Sequence, residues 1–295
     1  MSSNDVAVVI PAHNAAAFLP LALQSLQQQT QPPHEVVVVD DGSTDDSAAV
    51  AERLGATVVR QAQRGPAAAR NRGIELSKSP LVAFLDADDW FAPAKLGRQI
   101  DRLVDLGAMA VCSDAWIVTG DNVQRSKNER RVVPAVLTLE KLLQGNPVIC
   151  STMLVRREAL QQVGPFDEDP DLVASEDYDL WLRLARREPI AYMAEPLAFY
   201  RVHGQSLSAN ARFLRGVDRI MDKVDVVFGD EPHFRNLVRR RRAEVRLDLA
   251  WDLLQQPERR HEARALIREA QGLSFSWKGL RMWLRTCLRR PAAAS

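Results

Sequence analysis

Between residues 6 and 85 the chain alternates short unbroken apolar runs with longer stretches in which apolar residues recur every three or four positions. The first pattern suits a strand buried on both faces, and the second suits a helix with one buried side. Strands are predicted at Val6–Ile10, at Glu35–Asp40 with its four consecutive valines, at Thr57–Arg60 and at Leu81–Leu85. Helices are predicted between them at Ala17–Gln29, Asp46–Leu54 and Pro66–Leu76, with Thr44 or Asp45 near the second N-cap and Pro66 in the third helix's first turn. Such alternation with short connections predicts parallel strands joined by crossover helices. Open sheets of that kind hold ligands at the carboxyl ends of their strands. Here those ends are polar: His13–Asn14, Asp40–Asp41 and Asp86–Asp89.

From about residue 108 the pattern loosens into a mixed region. It has strands near 109–117, 148–155, 190–194 and 197–202, and helices near 138–144 and 177–187. Beyond Ser208 only helical spacing remains: Phe213 to Phe228, Arg235–Leu254, Glu258–Ala270, and a basic amphipathic segment. In that segment Trp277, Leu280, Trp283, Leu284 and Leu288 are expected on one face, with Lys278, Arg281, Arg285 and Arg289 largely elsewhere. Charge follows the same division. Residues 1–210 hold 20 Lys and Arg against 27 Asp and Glu, whereas residues 211–295 hold 19 against 11, although the whole chain is only +1. The expected organisation is an acidic body at 1–207, divided into 1–107 and 108–207, and a basic helical extension at 208–295.

At 295 residues, with 46% hydrophobic and 26% charged residues, the chain is neither disordered nor a low-complexity polymer. Its three cysteines, Cys112, Cys150 and Cys287, are far apart and form neither a disulfide framework nor a zinc pattern, which suits a reducing compartment. The opening MSSNDVAVVIPAHN lacks the basic and apolar regions of a secretory signal, and residues 7–33 are too polar to span a bilayer. A cytoplasmic location is expected, with attachment to the inner face of the cytoplasmic membrane as its variant.

The densest chemistry lies in Phe84-Leu85-Asp86-Ala87-Asp88-Asp89-Trp90, where an apolar strand ends in three carboxylates. Crowded carboxylates repel one another unless a cation lies between them, and hard oxygen donors suit Mg²⁺ or Mn²⁺. A solvated acidic turn carrying a helix cap is the alternative. A second acidic group, Asp40 to Asp46, surrounds Gly42; a carboxylate there can accept from a ribose or a base edge, or the Asp-Gly pair is simply a turn. Neither a GxxxxGKS loop nor a GxGxxG fingerprint is present, which argues against a P-loop ATPase and a classical dehydrogenase.

In order and spacing, four segments resemble the N-terminal signatures of the family 2 glycosyltransferases: Val8–Asn14, Val39–Asp45, Gly65–Ile74 and Phe84–Asp89. The resemblance continues through Val163–Glu168, Ser175–Trp181 and Tyr200–His203, and leaves the tail uncovered. It implies a GT-A-type α/β fold, with a mixed, mainly parallel central sheet and flanking helices. It also implies inverting transfer of a sugar from a nucleotide-diphosphate donor, UDP-linked by preference, to a hydroxyl of a glycan or lipid-linked acceptor in surface polysaccharide synthesis. Pro11, His13 and Asn14 would then line the nucleotide pocket, and Asp41 would bind uracil or ribose. Arg70 would hold the base or a carboxylate. In the DxD segment Asp86 would touch the ribose, Ala87 would line the donor site and Asp88 would hold the Mn²⁺ or Mg²⁺, with His203 a further metal or diphosphate ligand. Asp177 would be the catalytic base, with Glu176 orienting the site.

Two other classes remain open on the sequence. A sugar nucleotidyltransferase would carry a Gly-rich, Lys- or Arg-containing loop after the first strand, where this chain has PAHNAAAF. A non-catalytic, membrane-associated binding module with a degenerate transferase fold would not need the set Asp86, Asp88 and Asp177. For the tail, Arg239–Arg242 and the Trp277–Arg290 helix suit an anionic membrane surface; docking on the acidic body and a homodimer contact are the alternatives. Nucleic acid is not expected as a partner, because no recognition motif accompanies the arginines. Trp90, Trp181 and Cys150 are expected to serve packing.

Overall fold

A computed structural model describes residues 2–120, 122–202 and 211–288. The chain divides into two compact units, one of residues 1–142 and 146–206, the other of residues 143–145 and 207–295. In the first unit the elements run β1 Val6–Ala12, α1 Leu19–Gln27, β2 Glu35–Asp41, α2 Ser47–Arg53, β3 Thr57–Gln61, α3 Pro66–Leu76 and β4 Leu81–Phe84. There follow β5 Trp90–Phe91, α4 Lys95–Leu106, β6 Ala110–Thr119, β7 Asn122–Ser126, β8 Val136–Leu137 and α5 Leu139–Leu143. A 3₁₀ turn Cys150–Thr152 then leads into β9 Leu154–Arg156, α6 Arg157–Val163, α7 Glu176–Arg187 and β10 Ile190–Val202.

The predicted strand and helix alternation is found, and its strands lie in one mixed sheet ordered β3-β2-β1-β4-β9-β6-β10-β5. Strands β1 to β4 pair in parallel, as crossover helices demand; β9 then enters antiparallel between β4 and β6, and β6 pairs in parallel with β10. The four valines of β2 are unbroken because both faces are covered. Val38 joins the large core with Val8, Ile10 and Leu23, while Val37 and Val39 meet Ala69 of α3 on the other side. Helix α3 approaches so closely that a Cβ on Gly73 would lie 2.4 Å from Val9 Cγ1. That small-residue seam brings Arg70, one turn earlier on α3, into the buried layer.

Several elements differ from expectation. Helix α4 was not expected, although Leu96, Ile100 and Leu103 bury its face at helical spacing. The strand expected near 148–155 is a 3₁₀ turn followed by three strand residues, so Cys150 packs in a turn. The two strands expected after residue 190 are one, β10, whose register against β6 shifts on both sides of Pro196, a residue with no N–H for the ladder. Helix α2 is capped at Asp46, one or two residues later than expected.

In the second unit the helices are α8 Ala211–Phe228, α9 Pro232–Leu253, α10 Arg260–Leu273 and α11 Trp277–Leu288. Ala243, Leu247 and Ala250 of α9, Ala263, Ile267 and Ala270 of α10, and Met282 of α11 form its core. No helix among the described residues is long and apolar enough to cross a membrane.

Candidate active site

The loops after β1 and β2 are stitched together by their own polar residues. Asn14 adopts a left-handed φ of 50°, which Asn tolerates better than most residues, and its Oδ1 accepts from Thr44 N at 2.8 Å. Its own N donates to Ser43 Oγ at 2.9 Å, while Ala15 N and Ala16 N donate to Ser47 Oγ and Asp45 Oδ2. His13 Nδ1 lies 2.8 Å from the Asp41 carbonyl, and its Nε2 lies within reach of the Asn14 and Gln63 amides. One neutral tautomer, protonated at Nδ1, satisfies all three contacts. Pro11 lies in β1 opposite Val39, at the carboxyl end of the central strand.

Asp41 is buried, and its carboxylate gathers the loop after β3: Gln61 Nε2 and Arg64 N donate to Oδ1, and Gly65 N to Oδ2, at 2.7–2.8 Å. Gly42 makes the approach possible, since its φ is 72° and a Cβ there would lie 2.9 Å from Gln63 N. The structure therefore uses Asp41 first to hold the 61–65 loop. Arg64 of that loop pairs with Glu168 at 2.6 Å, and Asn71 Nδ2 donates to Glu168 and to the Phe166 carbonyl.

The carboxyl end of β4 is organised by three residues that lie far apart in sequence. Arg70, 4% exposed, donates through Nη1 to Glu176 Oε1 and through Nη2 to Asp86 Oδ1, both at 2.6 Å. Its guanidinium also faces the Phe166 ring at 5.5 Å. Beneath lie Phe84, Phe166 and Trp181 in edge and tilted contacts, with Trp181 fully buried, so that ring serves packing as expected. Glu176 Oε2 accepts from Ala174 N, and Ala174 takes φ 80°, a conformation costly for a residue with a Cβ. Helix α7 starts there, and the next residue, Asp177, accepts from Tyr178 N at 2.6 Å through Oδ1.

Asp89 is 1% exposed and is anchored on both oxygens, by Ser151 Oγ at 2.6 Å and Arg201 N at 3.0 Å. Ser151 Oγ also accepts from Asp86 N. Arg201 Nε donates to the Asp88 carbonyl, and its guanidinium lies against Trp90 at 4.9 Å and Phe18 at 5.5 Å, with Trp90 stacked on Phe199. Trp90 thus packs a cation rather than standing open. Ala87 is buried between its acidic neighbours. His203 lies outside the described residues.

The electrostatics follow from this crowding. Burial raises the Asp89 carboxyl well above the usual carboxylate range, and the charges of Asp88 and Asp86 raise it further. Burial and then Glu176 push the Asp177 carboxyl up to about 7, with Arg70 drawing it back. Burial opposes the charge on Arg70, and its neighbours, Asp86 and Glu176 among them, more than offset that opposition. Burial pushes the Cys150 thiol up too, so Cys150 offers packing rather than a thiolate. The donors at the β4 end are hard carboxylate oxygens, which fits Mg²⁺ or Mn²⁺. Among the described residues no three His, Cys, Asp or Glu side chains converge as a ready-made cage. An ion shared with a diphosphate needs only one or two carboxylates from the protein.

Thus Arg70, Asp86, Glu176 and Asp177 come together, while His13, Asn14 and Asp41 form the adjoining strand-end group. Sequence reasoning missed Ser151 and Ala174, and Arg201 entered it only within the segment Tyr200–His203. A serine inside an apolar run, Val148 to Val155, was the available signal for Ser151. Nothing local marks Ala174.

Residues 7–164 match the model of the family described as glycosyl transferase family 2. The chain is 28% identical over 212 residues to TuaG of Bacillus subtilis, a protein named for teichuronic acid biosynthesis, in a match covering 70% of this chain and 82% of that one. It is 35% identical over 207 residues to the succinoglycan biosynthesis protein ExoU of Rhizobium meliloti, covering 61% of this chain and 56% of ExoU. WfaP of Escherichia coli, named as a glucosyltransferase from UDP-Glc to a diphosphoundecaprenol-linked GlcNAc, is 26% identical over 50% of this chain and 55% of its own. The chain thus spans little more than half of the latter two. Among solved structures, S. aureus TarS 1-349 in complex with UDP-GlcNAc aligns with TM-score 0.68 at 17% identity, over 96% of this chain and 89% of that one. The mannosyltransferase PcManGT of Pyrobaculum calidifontis, with GDP-Man and Mn²⁺, aligns with TM-score 0.60 at 19% identity, over 96% and 79%. The fold is accordingly of the GT-A type.

Proposed function

The chain belongs to glycosyl transferase family 2, and on that premise we propose that it transfers a sugar from a nucleotide-diphosphate donor, UDP-linked by preference, to a hydroxyl of a glycan or lipid-linked acceptor, with inversion. Residues 1–207 would do this work, and 208–295 would form an accessory extension. One observation supports the reading: Arg70 ties Asp86, just after β4, to Glu176, at the start of α7 and next to Asp177 in the chain. Such transfer needs an activated hydroxyl on one face of the anomeric carbon and neutralisation of the departing diphosphate on the other.

Asp177 suits the first task. A carboxyl poised near 7 can accept a hydroxyl proton at neutral pH, and it is the one member of the Glu176–Asp177 pair that Arg70 does not occupy. Direct attack assisted by one base inverts the anomeric centre. For the second task, Asp88, with His203, would hold Mg²⁺ or Mn²⁺, which supplies charge neutralisation to the diphosphate when bound. Arg201 adds a fixed cation beside Asp88, and among the described residues no carboxylate side chain pairs with its guanidinium. His13, Asn14 and Pro11 would line the nucleoside pocket, while Asp41 would meet the base or ribose through the loop it already holds. Asp86, besides meeting Arg70, would face the ribose, and Ala87 would close the donor site. The names of TuaG, ExoU and WfaP support an acceptor in surface polysaccharide synthesis.

Calorimetry with UDP, GDP and dTDP, in Mn²⁺ and in EDTA, tests the donor site. Mn²⁺-dependent selectivity for one nucleotide, lost in Asp88→Ala, is expected. Absence of binding to all three would refute the donor-site assignment.

A further inference from the structure

The C-terminal helix α11 is amphipathic in a way the sequence reading did not expect. Its inward residues are Gly279, Met282 and Thr286, spaced three and four apart, with Met282 in the core formed with α9 and α10. The opposite stripe, Trp277, Lys278, Arg281, Leu284 and Arg285, is exposed, so Trp277 and Leu284 share the solvent face with the cations. Trp277 is 67% exposed and Leu284 49%. Phe275, just before the helix and 64% exposed, meets Trp277 edge to face at 5.6 Å. On α9, Trp251 is 45% exposed and lies 5.9 Å from the Arg285 guanidinium. Large apolar side chains left in water among cations need an occupant to explain them.

The arginine run on α9 supplies only part of the remaining charge. Arg242 is spent on Asp218, Asp222 and Asp225, Arg241 is buried, and Arg239 Nε donates to the Leu273 carbonyl. Of that cluster Arg241 is internal and Arg242 is held by carboxylates, while Arg239 and Arg240 remain exposed. On α11, Lys278 pairs with Asp248 at 2.7 Å, whereas no acidic side chain pairs with Arg281 or Arg285 among the described residues. Residues 270–295 contain no Asp or Glu at all, and Arg289 and Arg290 follow in the sequence.

We infer that the exposed face of α11, with Phe275 and Trp251, docks on an anionic lipid bilayer. The helix lies in the interface, with its aromatic and leucine side chains at acyl-boundary depth and its arginines at the phosphates. Interfacial helices combine these features: aromatic rings at headgroup depth, long cationic side chains beside them, and too little apolar length to span. A twelve-residue helix is about 18 Å long, enough to lie along the surface and too short to cross a core of about 30 Å. A nucleic-acid groove would explain the arginines and leave Leu284 and Phe275 without purpose.

The test is flotation of the full chain with phosphatidylcholine vesicles and with vesicles containing 30 mole per cent phosphatidylglycerol, at low and high salt. Binding to the anionic vesicles, weakened by salt, is expected. Arg281→Gln with Arg285→Gln should lower the partition coefficient about 10–30-fold, from roughly 1 kcal/mol for each cation at the surface. Trp277→Ser with Leu284→Ser should lower it at least as much. All four positions are exposed, so circular dichroism and melting should not change. Brominated lipid should quench fluorescence in the wild type and less in Trp277→Phe. The inference is overturned by failure to float, by equal binding to neutral vesicles, by indifference to both double variants, or by self-association through the same residues without vesicle binding. Vesicle binding requires no donor, so that failure would leave the transferase reading untouched.

Discussion

Replacing Asp177 with Asn should move activity and stability in opposite directions, and the size of the second effect can be worked out. Its carboxyl titrates near 7 in the folded protein against an ordinary 3.8, a rise of about three units. The native state therefore holds the proton more tightly than the unfolded state, so stability falls as pH rises from about 4 and is fully lowered only above 7. The cost therefore grows from roughly 1–2 kcal/mol near pH 5 to roughly 4 kcal/mol above pH 8. Asn does not titrate. Whatever its packing costs, its stability relative to wild type should grow by roughly 2–3 kcal/mol between pH 5 and pH 8.5. In a unit of this size that corresponds to roughly 5–10 °C of melting temperature. Thermal melts of both proteins at the two pH values read the effect directly. Turnover, once a donor sugar is in hand, should fall by about 10²–10⁴-fold, and the wild-type rate should rise with pH through 7. A melting gap that ignores pH, or an Asn variant that keeps its activity, would refute the assignment of Asp177 as a strained, poised base.

Four further outcomes follow from the same geometry. Arg70→Met should leave Glu176 and Asp86 without their buried countercharge and cost about 3–5 kcal/mol in urea unfolding. Gly73→Ala should cost about 1–3 kcal/mol, because its methyl group meets Val9 across the seam between α3 and β1; an unchanged midpoint would mean that α3 can back away. Ala174→Gly should raise stability modestly by relieving the left-handed φ, read as an upward shift in melting temperature. Arg201→Gln should weaken nucleoside-diphosphate binding by roughly 10–100-fold in calorimetry, the scale of a lost charged hydrogen bond, with little effect on nucleoside binding.

Much of the first hundred residues was legible because their signals are local. The valine run of β2 needs two covered faces, Pro66 opens a helix, and β4 ends where three carboxylates begin. Helix α4 was overlooked beside that acidic signal, although Leu96, Ile100 and Leu103 recur at helical spacing. Residues 148–155 misled because an apolar run of strand length does not reveal whether a partner strand is present, and only Leu154–Arg156 finds one, between β4 and β6. On α11, spacing gave the helix but not its rotation; packing of Met282 against α9 and α10 decided which stripe faces water.

The sequence by itself determined which chemistries are available: carboxylates at the ends of β2 and β4, a Glu-Asp pair opening α7, an arginine on α3, and a basic tail without acids after residue 269. These are properties of residue type and short-range spacing. Only the tertiary structure decided what each group does with its charge. Arg70 and Glu176 are separated by 106 positions yet meet at 2.6 Å, the Asp89 carboxyl is pushed up by burial and anchored by Ser151 and Arg201, and Asp41 is turned toward the 61–65 loop. The reason is physical: a side chain's pKa and partners depend on desolvation and on neighbours brought by distant segments, and neither is encoded within a few residues of the side chain.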